Sequence, residues 1–475
     1  MSITIATHEG TAGEAAVEVL LQAGFGREHI TRWQLARPAR TTLFAPDSDH
    51  YARYWQECGS LLERLPQKAK RSPAEQVAAT ALLVIAREAR RQFLEAHTAA
   101  LYSLLTEGRS RFVRVEELTY AAGERVAGLT PSRTAVAAEM CFAQRDKDGI
   151  EIDQGLFASH ILAHPACGLH LIHAMLLPKP DSTERLTQFD RAGHLDLEGA
   201  SVTRLGKGAL VTMQNPRYLN AEDQTTLDAM ETAVDVATLD PKSEVGVLRG
   251  GLLENPKYQG KRAFGTGINL THLYYGRVPF MWYLTRELGF VHKFYRGLAR
   301  PDITPDETTG DTIEKPWIAA VEAFAIGGHC QYLLTLDYII AADNAFMTLP
   351  ARKEGIIPGA ANMRLPRFVG DRIARQAIMA ERRIDCDSDV GRMICDEIVA
   401  PDQMDATVAA IVDRLTNSGV VSASSNRRAF RVVQEPLDTF RRYCAVYARE
   451  QAYCHFSPAL IGNLERYWNA QTRKM

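Results

Sequence analysis

An α/β fold is what this sequence predicts, with a strand-and-helix core set between a mainly helical N-terminal region and a helical C-terminal one. Three observations carry the prediction. Alanine-rich amphipathic stretches with helix-start signals fill the chain before residue 199, strand-like apolar runs alternate with helices over 199–420, and arginine pairs and aromatics recur at helical spacing over 421–475. The domains are accordingly read as 1–198, 199–420 and 421–475.

Taken in order, residues 12–105 favour helix. Ser72-Pro73-Ala74-Glu75 sets a capping serine, an N1 proline and a glutamate ahead of an alanine-rich run, the pattern of a helix start. Helical character continues to Arg125, Leu129-Thr130-Pro131-Ser132 opens another helix, and Ile150-Glu151-Ile152-Asp153 precedes a histidine-bearing stretch over 160–173. Pro178-Lys179-Pro180-Asp181 breaks the chain, after which 201–205 and 208–213 read as two short strands across a turn. Strand-like runs and helices then alternate through 222–240, 245–248, 263–267, 281–297, 317–324, 338–341 and 346–348. In the tail, Phe430, Phe440, Tyr443 and Tyr447 lie at helical spacing, so these helices are expected to cover the core or a neighbouring subunit.

Composition excludes several function classes. Over 475 residues, 55 basic side chains face 57 acidic ones for a formal charge of −2, which gives no electrostatic case for a nucleic-acid or anionic-membrane partner. No window reaches the roughly 18 apolar residues of a membrane helix, and residues 1–10 lack the basic-then-apolar pattern of an export signal, so a cytoplasmic location is expected. Cys58, Cys141, Cys167, Cys330, Cys386, Cys395, Cys444 and Cys454 are scattered without a short repeated spacing and read as reduced thiols.

Two glycine turns carry the chemistry. Ala325-Ile326-Gly327-Gly328-His329-Cys330-Gln331 follows a strand-like run and precedes a helical one, so its backbone N–H groups stand at a helix start, where an oxyanion can be held. Phe264-Gly265-Thr266-Gly267-Ile268-Asn269-Leu270 is read as a second such turn after an apolar strand. Together they could aim two N–H donors at one carbonyl. Gly265-x-Gly267 lacks the third glycine and the acidic partner of a dinucleotide fingerprint, and no Walker-type phosphate loop is present.

At these residues the chain resembles the crotonase, or enoyl-CoA hydratase/isomerase, superfamily, over roughly residues 200–415. Leu219-Asn220-Ala221 resembles the family's early L-N-A, Gly265 to Leu270 its first oxyanion turn, and Ala325 to Gln331 its second. Phe346-Met347-Thr348-Leu349-Pro350 through Gly359-Ala360 resembles its F-x-x-P-E-x-x-x-G-x-x-P-G segment. The resemblance implies a spiral of ββα units, trimeric assembly, an acyl-CoA thioester substrate, and an oxyanion hole from the N–H groups of Ile268 and Gly328. Hydratases of the family use two glutamates around a water, but here Gln331 stands at the first position and Ala351, directly after Pro350, at the second. Neither can act as general acid or base at neutral pH, so hydration is disfavoured while enolate stabilisation is kept.

Across most of its length the chain also resembles the superfamily's metal-free and cofactor-free dioxygenase branch, which acts on 3,5-dihydroxyphenylacetyl-CoA in supplying dihydroxyphenylglycine for glycopeptide-type antibiotics. Asn215 to Asp223, Met230 to Asp235, Arg286-Glu287-Leu288-Gly289, Glu322 to Gln331, Lys353 to Asn362 and, in the helical extension, His164 to Gly168 carry this likeness. It implies that Glu222, Arg286 and Gln331 line the acyl pocket and bond the phenolic hydroxyls or the thioester arm, that no metal or organic cofactor is used, and that O2 is co-substrate. A carboxylate and an amide oxygen accept phenol O–H bonds, and a guanidinium fixes polar groups with its donor fork. No side chain is assigned as base, and no motif marks the contacts to the CoA phosphates. A homo-oligomer, trimer or hexamer, follows from the family.

Other readings compete. Glu222 near a helix start is also placed for a first-turn acid, and Arg286-Glu287 for a solvated helix face. A crotonase-fold arylacyl-CoA thioesterase or decarboxylase, or a non-catalytic CoA-thioester-binding protein, would also keep the two glycine turns. His160, His164, Cys167, His170 and His173 have the spacing of a zinc site on one helix, but Pro165 and Gly168 are read as interrupting that helix. Cys330 beside His329 invites a thiol-nucleophile reading, yet adjacent side chains point apart and a packing thiol is favoured.

Overall fold

The computed structural model describes the backbone from residue 9 and side chains from residue 15. Four helices, Glu9–Gln22, Arg27–Leu35, Phe44–Leu62 and Pro73–Leu105, open the chain. The last starts where its sequence specifies: Ser72 Oγ accepts from the Glu75 N–H, and the Glu75 carboxylate accepts from the Ser72 N–H at 2.7 Å, closing a capping box. Helix Arg133–Glu139 is likewise capped by Ser132.

The histidine-bearing stretch forms two helices, Ile152–Ala163 and Pro165–Leu176, bent by 109° at His164. Pro165 makes the break. Gly168 does not, contrary to the sequence reading; it lies within the second helix, where the Arg441 stem packs against it. Arg441 is buried and donates to the Leu162 and Ala163 carbonyls, which the ended helix leaves without intrahelical donors.

The core holds two main sheets, with a two-stranded pair, Leu298–Ala299 and Thr312–Ile313, beside them. The larger has seven strands in the order 194–197, 200–205, 208–213, 245–250, 317–321, 338–342, 397–399; it is antiparallel across the first three and parallel thereafter. Strand His194–Leu197 has no counterpart in the sequence reading. The central parallel strand Trp317–Val321 is apolar and buried at every residue, as a strand covered on both faces requires. The small sheet pairs Phe324–Ile326 with Phe346–Thr348 in parallel, and the latter with Ile384–Asp385. The run 317–324 is therefore two strands, one in each sheet, with the corner at Ala323, whose φ is 58°. Tyr338–Ala342 and Phe346–Thr348 repeat this step from large sheet to small.

Residues 263–267 do not form the expected strand; Gly265 makes only an isolated bridge to Ala325. The run 281–297 is two helices, Met281–Leu288 and Phe290–Arg296, separated at Gly289. The tail forms helices Val421–Gln434, Leu437–His455 and Pro458–Trp468, and Leu437–His455 lies along Ile152–Ala163 of the helical region.

Candidate active site

The two glycine turns meet at the mouth of the small sheet. Gly265 accepts from Ile326 N–H and donates to Phe324 O, which lays the first turn against the strand leading into the second. Gly267 adopts φ 74°, and a Cβ there would lie 2.8 Å from the Gly328 nitrogen, so only glycine lets the two turns approach this closely. Its N–H donates to His329 Nδ1 at 2.9 Å.

Glu222 fixes the direction of the next peptide. Its N–H donates to Gly267 O and its carbonyl accepts from Asn269 N–H, both at 2.7 Å. In such a parallel bridge the N–H of the intervening residue, Ile268, points to the opposite side. The Gly328 N–H, first in helix Gly328–Leu333, has no preceding turn to bond. Neither donates to a protein acceptor among the described residues, and both residues line one cleft.

Asn220 explains the L-N-A motif. It is buried at φ 55°, and its side-chain amide donates to Gly251 O at 2.9 Å and Ala263 O at 3.0 Å, tying the segment before Glu222 to the first turn. Asp223 caps helix Gln224–Leu239 and also accepts from the Asn269 amide at 2.9 Å. The first-turn-acid reading fails for Glu222, because Asp223 occupies the cap and Glu222 turns into the protein.

One guanidinium organises the cleft wall. Arg286 donates to Glu222 Oε1 at 2.6 Å and Oε2 at 3.2 Å, to Gln331 Oε1 at 2.9 Å, and to Gly328 O at 3.1 Å. It is buried, not on a solvated face, and its neighbour Glu287 is buried too. Burial by itself would lower the Arg286 pKa, but the Glu222 charge reverses this and holds the guanidinium above its ordinary range. Tyr332 also donates to Glu222 Oε1. Burial, reinforced by the Glu222 charge, holds the Tyr332 phenol well above its ordinary value. Glu222, Arg286 and Gln331 thus form one connected group beside the two free N–H donors.

The remaining wall comes from three elements. Trp282 and Tyr283 belong to the Arg286 helix, Tyr447 comes from the C-terminal helix Leu437–His455, and Leu349, Ala351, Glu354, Ile357 and Gly359 come from 349–359. Glu354 is buried, and desolvation alone raises its carboxyl to about 7. His329 is pushed down by burial to about 4, against the Glu222 charge, and so is neutral at physiological pH. Burial takes the Cys330 thiol up to about 12, which removes it as a nucleophile at neutral pH.

The enoyl-CoA hydratase/isomerase family model matches residues 300–442. The (3,5-dihydroxyphenyl)acetyl-CoA 1,2-dioxygenase of Amycolatopsis orientalis is 43% identical over 427 residues, 89% of this chain and 97% of that protein. The chain belongs to the enoyl-CoA hydratase/isomerase, or crotonase, family. A short-chain-enoyl-CoA hydratase of Clostridium acetobutylicum is 27% identical over 52% of this chain and 86% of its own. A solved enoyl-CoA hydratase of Mycobacterium avium subsp. paratuberculosis K-10 superimposes with a TM-score of 0.48 and 19% identity, over 59% of this chain and 99% of that one.

Sequence reasoning missed Tyr332, Glu354 and Tyr447 in this crotonase. Glu354 had a signal: three residues after Ala351 on helix Ala351–Glu354, it shares Ala351's face. Tyr447 had none, since its approach depends on how the tail folds back. The histidine stretch has other partners. His170 bonds Tyr102 Oη at 2.8 Å and Arg109 O at 3.0 Å, His173 bonds Arg300 O at 3.0 Å, and His160 bonds Leu156 O at 2.8 Å. Among the described residues no three His, Cys, Asp or Glu side chains converge as metal ligands.

Proposed function

We propose that this protein is a dioxygenase of 3,5-dihydroxyphenylacetyl-CoA, converting the thioester and O2 into 3,5-dihydroxyphenylglyoxylate and CoA with no metal or organic cofactor. The observation that carries the reading is the cleft in which two unpartnered backbone N–H groups, of Ile268 and Gly328, stand beside the Glu222–Arg286–Gln331 group. The 43% identity to the Amycolatopsis orientalis enzyme supports the choice of substrate.

The thioester carbonyl accepts from the Ile268 and Gly328 N–H groups, which bind more strongly as negative charge develops on that oxygen. Loss of an α-proton leaves an enolate conjugated with the electron-rich ring. Glu222 and Gln331, held by Arg286, meet the phenolic hydroxyls, and the apolar walls exclude water. The enolate transfers one electron to O2, and the resulting radicals combine to a peroxide at the α-carbon. The terminal peroxide oxygen attacks the thioester carbonyl; C–S cleavage releases CoA thiolate, and O–O cleavage with loss of the remaining α-proton gives the α-keto acid. One substrate and one O2 account for every atom of arylglyoxylate and CoA.

Gln331 and Ala351 at the hydratase glutamate positions support a reaction that does not add water. The same reading places the enzyme in the cytoplasm, in dihydroxyphenylglycine supply for antibiotic biosynthesis, as a trimer or hexamer. Exposed Phe430 and Val433 on helix Val421–Gln434 support self-association.

The test is oxygen uptake by chelator-treated protein given 3,5-dihydroxyphenylacetyl-CoA, with thiol and aryl product followed together. One O2 consumed per CoA and arylglyoxylate released is the expected outcome. CoA release without O2 uptake would identify a thioesterase, and decarboxylation or binding without turnover would likewise overturn the dioxygenase reading.

A further inference from the structure

We propose that Glu354 is the general base that removes the substrate's α-proton, a step that rests on the arylacetyl-CoA reading above. The argument begins with the site's own requirement. An enolate forms only if some group accepts a proton while the carbonyl oxygen lies against the Ile268 and Gly328 N–H donors, and most candidates around the cleft are already committed.

Glu222 is bound by the Arg286 guanidinium through both oxygens and by the Tyr332 hydroxyl. Glu287 is shared between Arg286 at 3.4 Å and Arg364 at 3.2 Å. His329 has its Nδ1 lone pair on the Gly267 N–H, and its other nitrogen faces Met213 Sδ at 2.9 Å. Cys330 stays a thiol, and Tyr283, Tyr332 and Tyr447 stay phenols, because burial opposes their ionisation. Gln331 is an amide and Ala351 has no polar group.

Glu354 differs from each of these. It lines the cleft, and it has no hydrogen-bond or ion-pair partner among the described residues. Its Oε1 lies 3.8 Å from where a Cβ on Gly327 would stand, and Gly327 forms the peptide whose N–H belongs to Gly328. The carboxylate therefore faces the peptide that presents an oxyanion donor, next to where the α-carbon of a bound thioester must lie. Helix Ala351–Glu354 explains how it gets there: residues three apart share a face, so a carboxylate at 354 reaches the space in front of Ala351. Gly355, at φ 74°, ends the helix immediately afterwards.

The charged groups of the surrounding elements leave Glu354 isolated. On its own helix, Arg352 and Lys353 pair with Glu381, at 2.7 and 2.6 Å. On helix Met281–Leu288, Arg286 is engaged as above and Tyr283 is protonated. On helix Pro458–Trp468, Glu465 bonds Tyr274 at 2.7 Å. Its carboxyl, near 7, is matched to accepting a proton at physiological pH. In the step itself the α C–H bond breaks, the proton bonds to a Glu354 oxygen, and the electron pair moves to the enolate oxygen.

The experiment separates this step from the oxygen chemistry. Full-length enzyme is incubated with 3,5-dihydroxyphenylacetyl-CoA in D2O without O2, and deuterium at the α-carbon is followed by mass spectrometry; O2 uptake is measured in parallel. Glu354→Gln mimics the protonated carboxyl and is expected to keep the wild-type melting temperature at pH 6. Exchange and uptake are expected to fall about 100-fold or more in E354Q and to recover in part in Glu354→Asp. The wild-type kcat/KM is expected to rise with pH through a midpoint near 7, since only the ionised carboxylate accepts a proton, and E354Q is expected to lack that limb. Exchange by a folded E354Q within about threefold of wild type, or a pH limb that survives in it, overturns the assignment. Wild-type exchange that Glu354→Gln abolishes, without O2 uptake, would overturn the dioxygenase reading and leave Glu354 as the base.

Discussion

Residue by residue, the geometry of the cleft depends on position 328 carrying no side chain. A Cβ on Gly328 would lie 1.9 Å from Glu222 Oε2 and 2.8 Å from an Arg286 terminal nitrogen. Gly328→Ala must therefore displace either the Glu222–Arg286 pair or the N–H donor itself. O2 uptake by G328A is expected to drop about 100- to 1,000-fold, the size of losing one oxyanion donor, with the circular dichroism spectrum unchanged. Uptake within about fivefold of wild type would mean that this N–H does not meet developing charge. The residues of this group were legible in the sequence because glycine turns and polar side chains at motif spacings are local signals. Glu354 was not, because the family motif marks only the position after Pro350; the helical repeat that carries a carboxylate one turn further becomes decisive only once the segment is known to be a helix.

At the scale of elements, two of the mispredicted segments are shaped by contacts distant in sequence. Residues 263–267 have the apolar texture of a strand but make only an isolated bridge at Gly265, and the segment that follows keeps the Ile268 N–H free. Full pairing with a neighbour on both sides would have consumed it. Gly168 reads as a helix breaker, yet its absent side chain makes room for Arg441, 273 positions further along the chain by the numbering of the sequence. Where the signal is local, prediction and structure agree, as at Ser72. Ser72→Ala removes the acceptor for the Glu75 N–H in the capping box and is expected to cost about 1 kcal/mol, read as a lower urea midpoint with an unchanged slope. O2 uptake is expected to be unaffected, since Ser72 is not among the residues lining the cleft.

For the whole molecule, the boundary read from composition near residue 199 is crossed by charge. Lys293, buried in the core helix Phe290–Arg296, contacts Glu231 and Asp235 at 2.7 Å each, both on helix Gln224–Leu239. From the preceding region, Arg114 reaches Glu231 at 2.6 Å, while Ser182 Oγ and the Lys179 N–H donate to Asp235 at 2.8 and 2.7 Å. Helix Leu437–His455 closes the other side, lying on Ile152–Ala163 while supplying Tyr447 to the cleft. The helical segments therefore share their buried polar groups with the core, and the chain is expected to unfold as one cooperative unit. Lys293→Met tests this. It leaves two buried carboxylates short of a cation, and the expected loss is about 3–5 kcal/mol. Burial already raises the Asp235 carboxyl, and losing Lys293 raises it further, so the folded state of the variant binds protons that the unfolded chain has released. Its deficit should then be larger at pH 8 than at pH 5, where protonation removes the uncompensated charge. Urea unfolding followed by tryptophan fluorescence reads both regions, since Trp33 and Trp55 lie in the helical segments and Trp317 in the core sheet. One shared midpoint, lowered together in K293M, is the expected result; two transitions, with only the core's displaced, would show that the buried cluster does not join them.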